Sequence, residues 1–482
     1  MIPALAPAPR ELPALPPGTA DPRYSCGTLV YTQAGLFTLF SWLIWGDFCF
    51  SLMENIWPSI LPLMLKAQGT SNLTLALIIT VIPSAMNFVL NPIISTASDR
   101  FRSPRGRRIP FLLAATPFVT LFLVLLGFAP QLGTWLSHFL ARPDLTAAGV
   151  TVGLIAMLVA SFRFFELFIN TVFWYLFNDV VPVAFMGRFL AFFRIAGALA
   201  GTLFNFFLFK YAGSHASVIF LGVAILYGTM FFLMCLKVKE GAYPPPDPMP
   251  SSSPLAWIGT FFRECFTHRI FRLVFTFNAF TYMGNAMNTF FLFMAFSIGL
   301  TLDDVGKIVG AATFIGIFFM YPMGVLVDRF NPLRVMLVAQ LGCTLALATK
   351  LIFLFFNFSA TAAFWIYAAT AAVAIPAAVA STAASMPMLM RIFPRERFGQ
   401  FCAANAMCGA VGTMLGGVLA GCFLDFMKSF SPSENFYYRY APAWSVLFTA
   451  LSLVATWFVF QEWKKLGGEK HYQTPDVSAS LP

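Results

Sequence analysis

The sequence predicts an all-α membrane protein: twelve transmembrane helices in two six-helix repeats. Three observations carry that expectation. Hydrophobic residues make up 59% of the 482, charged residues only 10%, and 58 are Phe, with a mean hydropathy of +0.77; a water-soluble domain could not keep such a surface out of solvent. The apolar residues gather into twelve stretches of bilayer length, and short motifs recur from one half of the chain to the other.

Crossing the hydrocarbon core takes roughly 17 to 25 residues. Stretches of that kind fall near 36–64, 73–98, 109–129, 149–178, 189–209 and 216–236, then 273–298, 305–327, 335–357, 361–390, 400–424 and 441–461. We number these spans 1 to 12. Between spans 6 and 7 lies KVKEGAYPPPDPMPSSSP (237–254), a Pro/Ser linker that no membrane helix tolerates. The alternating aromatic and basic residues from Trp257 to Arg272 then predict a short helix on the membrane surface. The expected organisation is a disordered tail (1–35), a six-helix bundle (36–236), the linker with its interfacial helix (237–272), a second bundle (273–461) and a tail (462–482). Residues 1–30 are rich in Pro and Ala and lack the basic start and small-residue cleavage site of a signal peptide.

Basic residues orient the spans. With both termini cytoplasmic, the inner loops and tails hold 21 of the 30 Lys and Arg, and the expected location is the plasma membrane. The net charge of +10 then follows from topology and from contact with an anionic inner leaflet, with no nucleic acid as partner. The eight Cys stand singly in or beside apolar segments and the four His lie in loops and tails without ligand spacing, so neither a metal nor any other cofactor is expected. No nucleophile elbow or phosphate loop is present either, which excludes the commoner enzyme classes.

Two internal echoes point to duplication. STASDRFRSPRGRRIP (95–110) reappears in reduced form as GVLVDRFNPLR (324–334), and VPVAFMGRFLAFFRIAG (181–197) matches FPRERFGQFCAANAMCG (393–409) at Pro182/Pro394, Gly187/Gly399, Phe189/Phe401, Ala191/Ala403 and Gly197/Gly409, all 212 residues apart. Two six-helix repeats imply a site between them near the midplane, reached from each side in turn as the halves rock. Asp99, Arg100, Arg107 and Arg108 in the first basic turn, with Asp328 and Arg329 in the second, are expected to latch the cytoplasmic ends together in the outward-open state.

Charges inside the membrane cost on the order of 3 kcal/mol each at a helix centre unless paired or hydrated. Asp47 and Glu54 lie seven residues apart on span 1, Arg163 and Glu166 three apart on span 4, and Arg194 early in span 5. Asp47 and Arg194 have no opposite charge nearby in sequence and are read as ligand groups; Arg163 and Glu166 can pair locally; Glu54 stands toward the outer end. The second half offers neutral groups instead, a polar stripe of Asn278, Tyr282, Asn285 and Asn288 on span 7, suited to helix contacts or to solute.

NPIISTASDRFRSPRGRRIPF at the end of span 2, Gly46-Asp47-Phe48 in span 1, and Phe173-Trp174 followed by Pro182, Arg188 and Arg194 resemble the glycoside-pentoside-hexuronide:cation symporters of the major facilitator superfamily, which include the melibiose permeases and the related sucrose:proton carriers. The resemblance implies a twelve-helix transporter in which Asp47, Trp174 and Arg194 hold a glycoside. Asn170 stands where the melibiose permeases carry an acidic residue, and Asn87 and Asn91 stand where sodium-coupled members carry two Asp. Amides are weak ligands for a hard cation, so the coupling ion expected is a proton, with Asp47, Glu54 and Glu166 as the titrating candidates and Arg163 beside them.

The expected function is therefore proton-coupled uptake of a sugar or glycoside by a monomer, with solute, proton and bilayer as partners. Two alternatives stand beside it: a facilitator or symporter of a non-sugar, amphipathic or lipid-like solute, suggested by the Phe content, and a transporter-like sensor, disfavoured by the short tails.

Overall fold

The computed structural model describes residues 22–140, 146–243, 261–431, 433, 435–472 and 474–475. Eleven helical segments among them are long and apolar enough to cross a bilayer: Gln33–Ala67, Asn72–Arg100, Ile109–Gly127, Ala147–Val180, Val183–Tyr211 and Ala216–Lys237, then Leu302–Arg329, Pro332–Phe355, Ala360–Ile392, Phe398–Lys428 and Phe436–Lys465. These are spans 1 to 6 and 8 to 12. Span 7 is broken: an α-helix, Arg269–Asn285, passes through a 3-10 turn, Ala286–Phe290, into a second α-helix, Phe291–Ser297. Freed carbonyls at the break are taken up by span 12, where Trp444 Nε1 donates to Met283 O at 3.0 Å and Ser445 Oγ to Gly284 O at 3.3 Å. Irregular backbone survives at membrane depth only where neighbouring helices satisfy it in this way.

The helix starts follow the local sequence. Thr32, Ser71, Thr146 and Ser359 each accept the amide of the third residue on, and Thr301 with Asp304 closes a reciprocal capping box. Span 1 packs on spans 5 and 6 and span 3 on spans 4 and 6; span 7 packs on spans 11 and 12, and spans 9 and 10 on one another. The halves meet along two seams, span 2 with span 11 and span 5 with span 8.

Both seams share one construction. The first half contributes a one-turn π-helical bulge, Leu77–Val81 in span 2 and Phe204–Leu208 in span 5. The second half contributes glycines four residues apart, the spacing that lets backbones approach closely. A Cβ on Gly306 would come 2.4 Å from Asn205 O and one on Gly310 2.7 Å from the Phe206 ring, while Cβ atoms on Gly417 and Gly421 would meet Val81 at 3.0 Å and Leu73 Cα at 2.7 Å. At the same end Asp425 of span 11 caps the start of span 2, accepting from Asn72 N at 3.1 Å, Asn72 Nδ2 at 2.7 Å and Leu73 N at 3.0 Å. Tyr438 adds a bond to Asn72 Oδ1 at 2.9 Å. This end lies opposite the basic loops, which we call the basic end.

One expectation about the organisation needs correction. The proposed tail of 1–35 is ordered from residue 22: a turn, Pro22–Tyr24, leads into a hairpin of Ser25–Cys26 with Leu29–Val30. Tyr24 packs on Phe185 at 5.2 Å and Thr28 Oγ1 accepts from Ala242 N at 2.8 Å; the segment has rings and hydroxyls to bury, unlike the Pro/Ala stretch before it. Residues 1–21, the Pro/Ser run from 244 and Trp257 lie outside the described residues, and the expected interfacial helix is helical at 261–266. The connection between spans 3 and 4 contains a helix, Ala129–Leu140.

Candidate solute and proton site

Span 1 places Asp47, Ser51 and Glu54 four and three residues apart, along one stripe. Asp47 is only 2% exposed; its Oδ1 accepts from Ser51 Oγ at 3.4 Å and its Oδ2 has no hydrogen-bond partner. The close neighbour is Gly197 of span 5, where an added Cβ would lie 3.0 Å from Ser51 Oγ and 3.5 Å from Asp47 Oδ2. Arg194, one turn earlier on span 5, is exposed and sits over the ring of Trp174 at 5.8 Å. Trp174 is 39% exposed and meets Phe177 and Phe193 edge to face. Arg194 and Trp174 are thus brought together. No ion pair between Asp47 and Arg194 is recorded among the described residues.

The second constellation is larger than local pairing predicts. Arg163 contacts Glu166 at 2.8 Å and also Glu54 of span 1 at 3.4 Å. Glu54, its side chain 28% exposed, is engaged by more than solvent: Trp57 Nε1 donates to it at 3.3 Å, and the Arg163 guanidinium lies 5.1 Å from the Trp57 ring centre. Glu166 is 0% exposed, and neither of its oxygens finds a hydrogen-bond donor with good angles. Two carboxylates and one guanidinium leave one negative charge unbalanced, and a single proton would balance it. Asn170 lies one turn beyond Glu166 and is half-buried. Asn91 accepts from Thr171 Oγ1 at 3.0 Å, while Asn87 is exposed.

In the second half, Asn278 Nδ2 donates to Asn405 O of span 11 at 2.9 Å. Asn278 and Tyr282 cover Gly409, where an added Cβ would come 3.0 Å and 2.9 Å from them. Asn285 ends the first piece of span 7 and is exposed. This stripe is thus partly helix contact and partly open.

Arg107 and Arg108 of the basic turn form a cluster inside one half. Arg108, 3% exposed, pairs with Asp99 and at 3.0 Å with Asp179 at the end of span 4; Arg107 reaches Asp179 at 2.6 Å. Glu240, just past span 6, accepts from the amides of Arg107, Arg108 and Ile109 at 3.0, 2.8 and 2.6 Å, the place at a helix start where a carboxylate is most favourable. Burial pushes the Tyr243 hydroxyl above its ordinary 10, with Asp179 and Glu240 adding to the rise; it stays protonated and donates to Glu240 at 3.2 Å. Gly106 holds φ +105, and a Cβ there would lie 2.5 Å from the Glu240 carboxyl carbon. Arg100 has partners of its own. In the reduced copy, Asp328 is exposed with no ion pair recorded among the described residues, and Arg329 lies 5.9 Å from the Phe330 ring. Sequence reasoning missed Asp179 and Glu240, which stand as single acids at span ends; the signal for them was only the excess of Arg they answer.

Two six-helix halves, paired seams and a charged interior in one half define a polytopic secondary-transporter fold. The sequence matches the Major Facilitator Superfamily over residues 43–380 and again over 274–474, and the chain belongs to that family. Solved structures with this fold include a bacterial homologue of the human lysosomal transporter Spinster, inward-facing and unoccupied, at 14% identity and TM-score 0.62, covering 92% of this chain and 100% of that one. A variant of the nucleoside transporter NupG (14%, 0.63, 88% and 100%) and a D-xylose-proton symporter (14%, 0.61, 92% and 99%) are similar to the same degree. No curated protein matches the sequence.

Proposed function

We propose that this protein is a proton-coupled symporter of a sugar or glycoside, working by alternating access in the plasma membrane with both termini cytoplasmic. The observation that carries the reading is the Glu54–Arg163–Glu166 cluster between spans 1 and 4, with Glu166 fully buried and one more negative than positive charge. Turning a loaded carrier through a dry intermediate is costly with a bare charge inside. Protonation of the cluster removes that charge, so the carrier loaded with both solute and proton turns over at lower cost than the carrier loaded with solute alone. Glycoside binding is supported by Trp174, whose exposed ring suits the apolar face of a sugar, by Arg194 beside it as donor, and by the unpartnered Asp47 Oδ2 as acceptor.

Uptake of a radiolabelled disaccharide panel into proteoliposomes tests this, under an imposed proton gradient, a sodium gradient or neither. Proton-driven uptake is expected. Glu166→Gln should lose the response to the gradient while retaining exchange of internal for external sugar, and Asp47→Asn and Arg194→Gln should weaken both. Full proton-driven uptake in Glu166→Gln and Glu54→Gln would overturn the proton site; uptake of no sugar by the folded protein would overturn the solute.

A further inference from the structure

At the basic end of the second half, the short helix at 261–266, the first turns of span 7 and the flank of span 11 line an open groove of about 400 Å³, to which Phe88 of span 2 also contributes. That volume falls in the range of small-molecule sites, roughly 300 to 1,000 Å³. Its body is apolar, with Phe262, Phe266, Phe275 and Met407 among the walls, and its one charged group is Arg272. The Arg272 carbonyl accepts from Thr276 Oγ1 at 2.8 Å, but its guanidinium has no partner among the described residues. The acid on the adjoining helix, Glu264, is already held by Arg397 at 2.5 Å and Gln400 at 2.8 Å. The groove therefore combines a long apolar body with an uncommitted cation.

We propose that this groove binds a single-chain anionic amphiphile, its alkyl chain against the Phe and Met side chains and its oxyanion head on Arg272. Charge selects the occupant: a neutral chain gains the same apolar contact but leaves the guanidinium unanswered, whereas an anion supplies a charge-assisted hydrogen bond. Chain length sets the affinity, since each methylene moved out of water contributes roughly a fourfold gain. Because Phe88 belongs to the first half and the other walls to the second half and its leading helix, an occupant touches both halves and favours the arrangement in which they are joined here.

The site is independent of the coupled-uptake reading, because binding is measured without transport. The full chain in phosphatidylcholine nanodiscs would be labelled with a diazirine-bearing fatty acid, with dodecanoate, dodecyl phosphate and dodecanol as competitors and the labelled peptides mapped by mass spectrometry. Labelling within 261–276 and 404–411 is expected, with either anion competing at least tenfold better than dodecanol. Competition by both anions marks an unselective oxyanion site, and by the phosphate alone a lipid-phosphate site; either supports the proposal. Arg272→Gln should erase the preference for anions and Arg272→Lys should keep it, while Ala279→Trp, which fills the groove, should abolish labelling. Thermal unfolding of each variant confirms that it is folded. Equal competition by dodecanol, or an unchanged preference in folded Arg272→Gln, would mean ordinary bilayer contact and overturn the proposal.

Discussion

In the first half, Gly197 lets span 5 approach span 1 until an added Cβ would lie 3.0 Å from Ser51 Oγ and 3.5 Å from Asp47 Oδ2; in the second half, its repeat counterpart Gly409 lets span 11 approach span 7 until the same atom would lie 3.0 Å from Asn278 Nδ2 and 2.9 Å from Tyr282. Asn278 and Tyr282 stand 231 residues after Asp47 and Ser51 respectively. The same close helix crossing is thus built twice, and the groups that face the glycine differ. An acid and a hydroxyl occupy the first copy; an amide that donates to a backbone carbonyl and a phenol occupy the second. Packing needs the glycine and is indifferent to the charge, so the charge in one copy alone belongs to something other than packing. Under the function proposed above, the first half handles the ion and the second offers neutral hydrogen-bonding groups.

The largest expected effect follows from removing the cation of the charged half. Arg163→Ala leaves Glu54 and Glu166 facing each other in the interior without a counter-charge, a change that costs roughly 3 to 5 kcal/mol. Thermal unfolding in detergent should show it, and simultaneous Glu166→Gln should recover much of the loss. Asn278→Ala, which removes a neutral bond from the other half, should cost only about 1 to 2 kcal/mol. Equal losses for the two would erase the distinction between the halves.

Exchanging the paired groups sharpens it. Asp47→Asn should leave the fold as stable as before, because Asp47 Oδ2 has no donor to lose, yet reduce uptake. Asn278→Asp replaces a donor facing Asn405 O at 2.9 Å with a carboxylate, and should cost about 1 to 3 kcal/mol without creating a new dependence on the proton gradient. Unfolding and uptake measured on the same two variants separate these outcomes.

Much of the charged half is legible in the sequence because its signals are local: the polar spacing in span 1, the Arg163/Glu166 pair, and the Arg-rich turn are all visible within a helical turn or a loop. What escapes is what the fold brings from afar. Glu54 reaches Arg163 across 109 residues and Asp425 reaches Asn72 across 353, and neither acid has a neighbour in sequence that announces its partner. The break in span 7 is hidden for another reason. Residues 286–290, Ala-Met-Asn-Thr-Phe, contain neither Pro nor Gly to mark a break, and the donors of span 12 make a 3-10 turn tolerable there. An Arg-rich turn reads the same in sequence whether it binds its own half or the other, and in this arrangement Arg107 and Arg108 bind Asp179 of their own half.

Asp425, beside Tyr438, ties the two halves together. Asp425→Ala removes the acceptor at the start of span 2, worth about 1 kcal/mol by analogy with lost helix caps, from a seam that joins the halves rather than from either bundle. A cysteine at Asn72 should then react faster with a membrane-impermeant maleimide, while the unfolding temperature moves little. Unchanged labelling would assign the seam to its glycines and π bulges alone.

The smallest effect is expected at the basic end of the second half, where Glu264 ties the 261–266 helix to span 11. Hydrogen bonding from Gln400, with the Arg397 guanidinium beside it, holds the Glu264 carboxyl below its ordinary 4.5. A carboxylate whose value falls on folding contributes stability that is present above the unfolded value and is lost as pH drops through the folded one. The tie is therefore intact at neutral pH and should weaken only below about 4.5. Hydrogen-exchange protection over 261–266, taken relative to the intrinsic exchange rate at each pH, should fall in that acid window in the native chain and be equally low at neutral and acid pH in Glu264→Gln. The contrast with the first half is direct: there Glu240 accepts from three backbone amides at a helix start, which no Arg or Gln substitution can remove, so the same experiment on Arg107→Gln should leave the 107–109 amides protected. Loss of that protection would show that the acid depends on the basic side chains after all, and that the two halves anchor their basic ends in the same way.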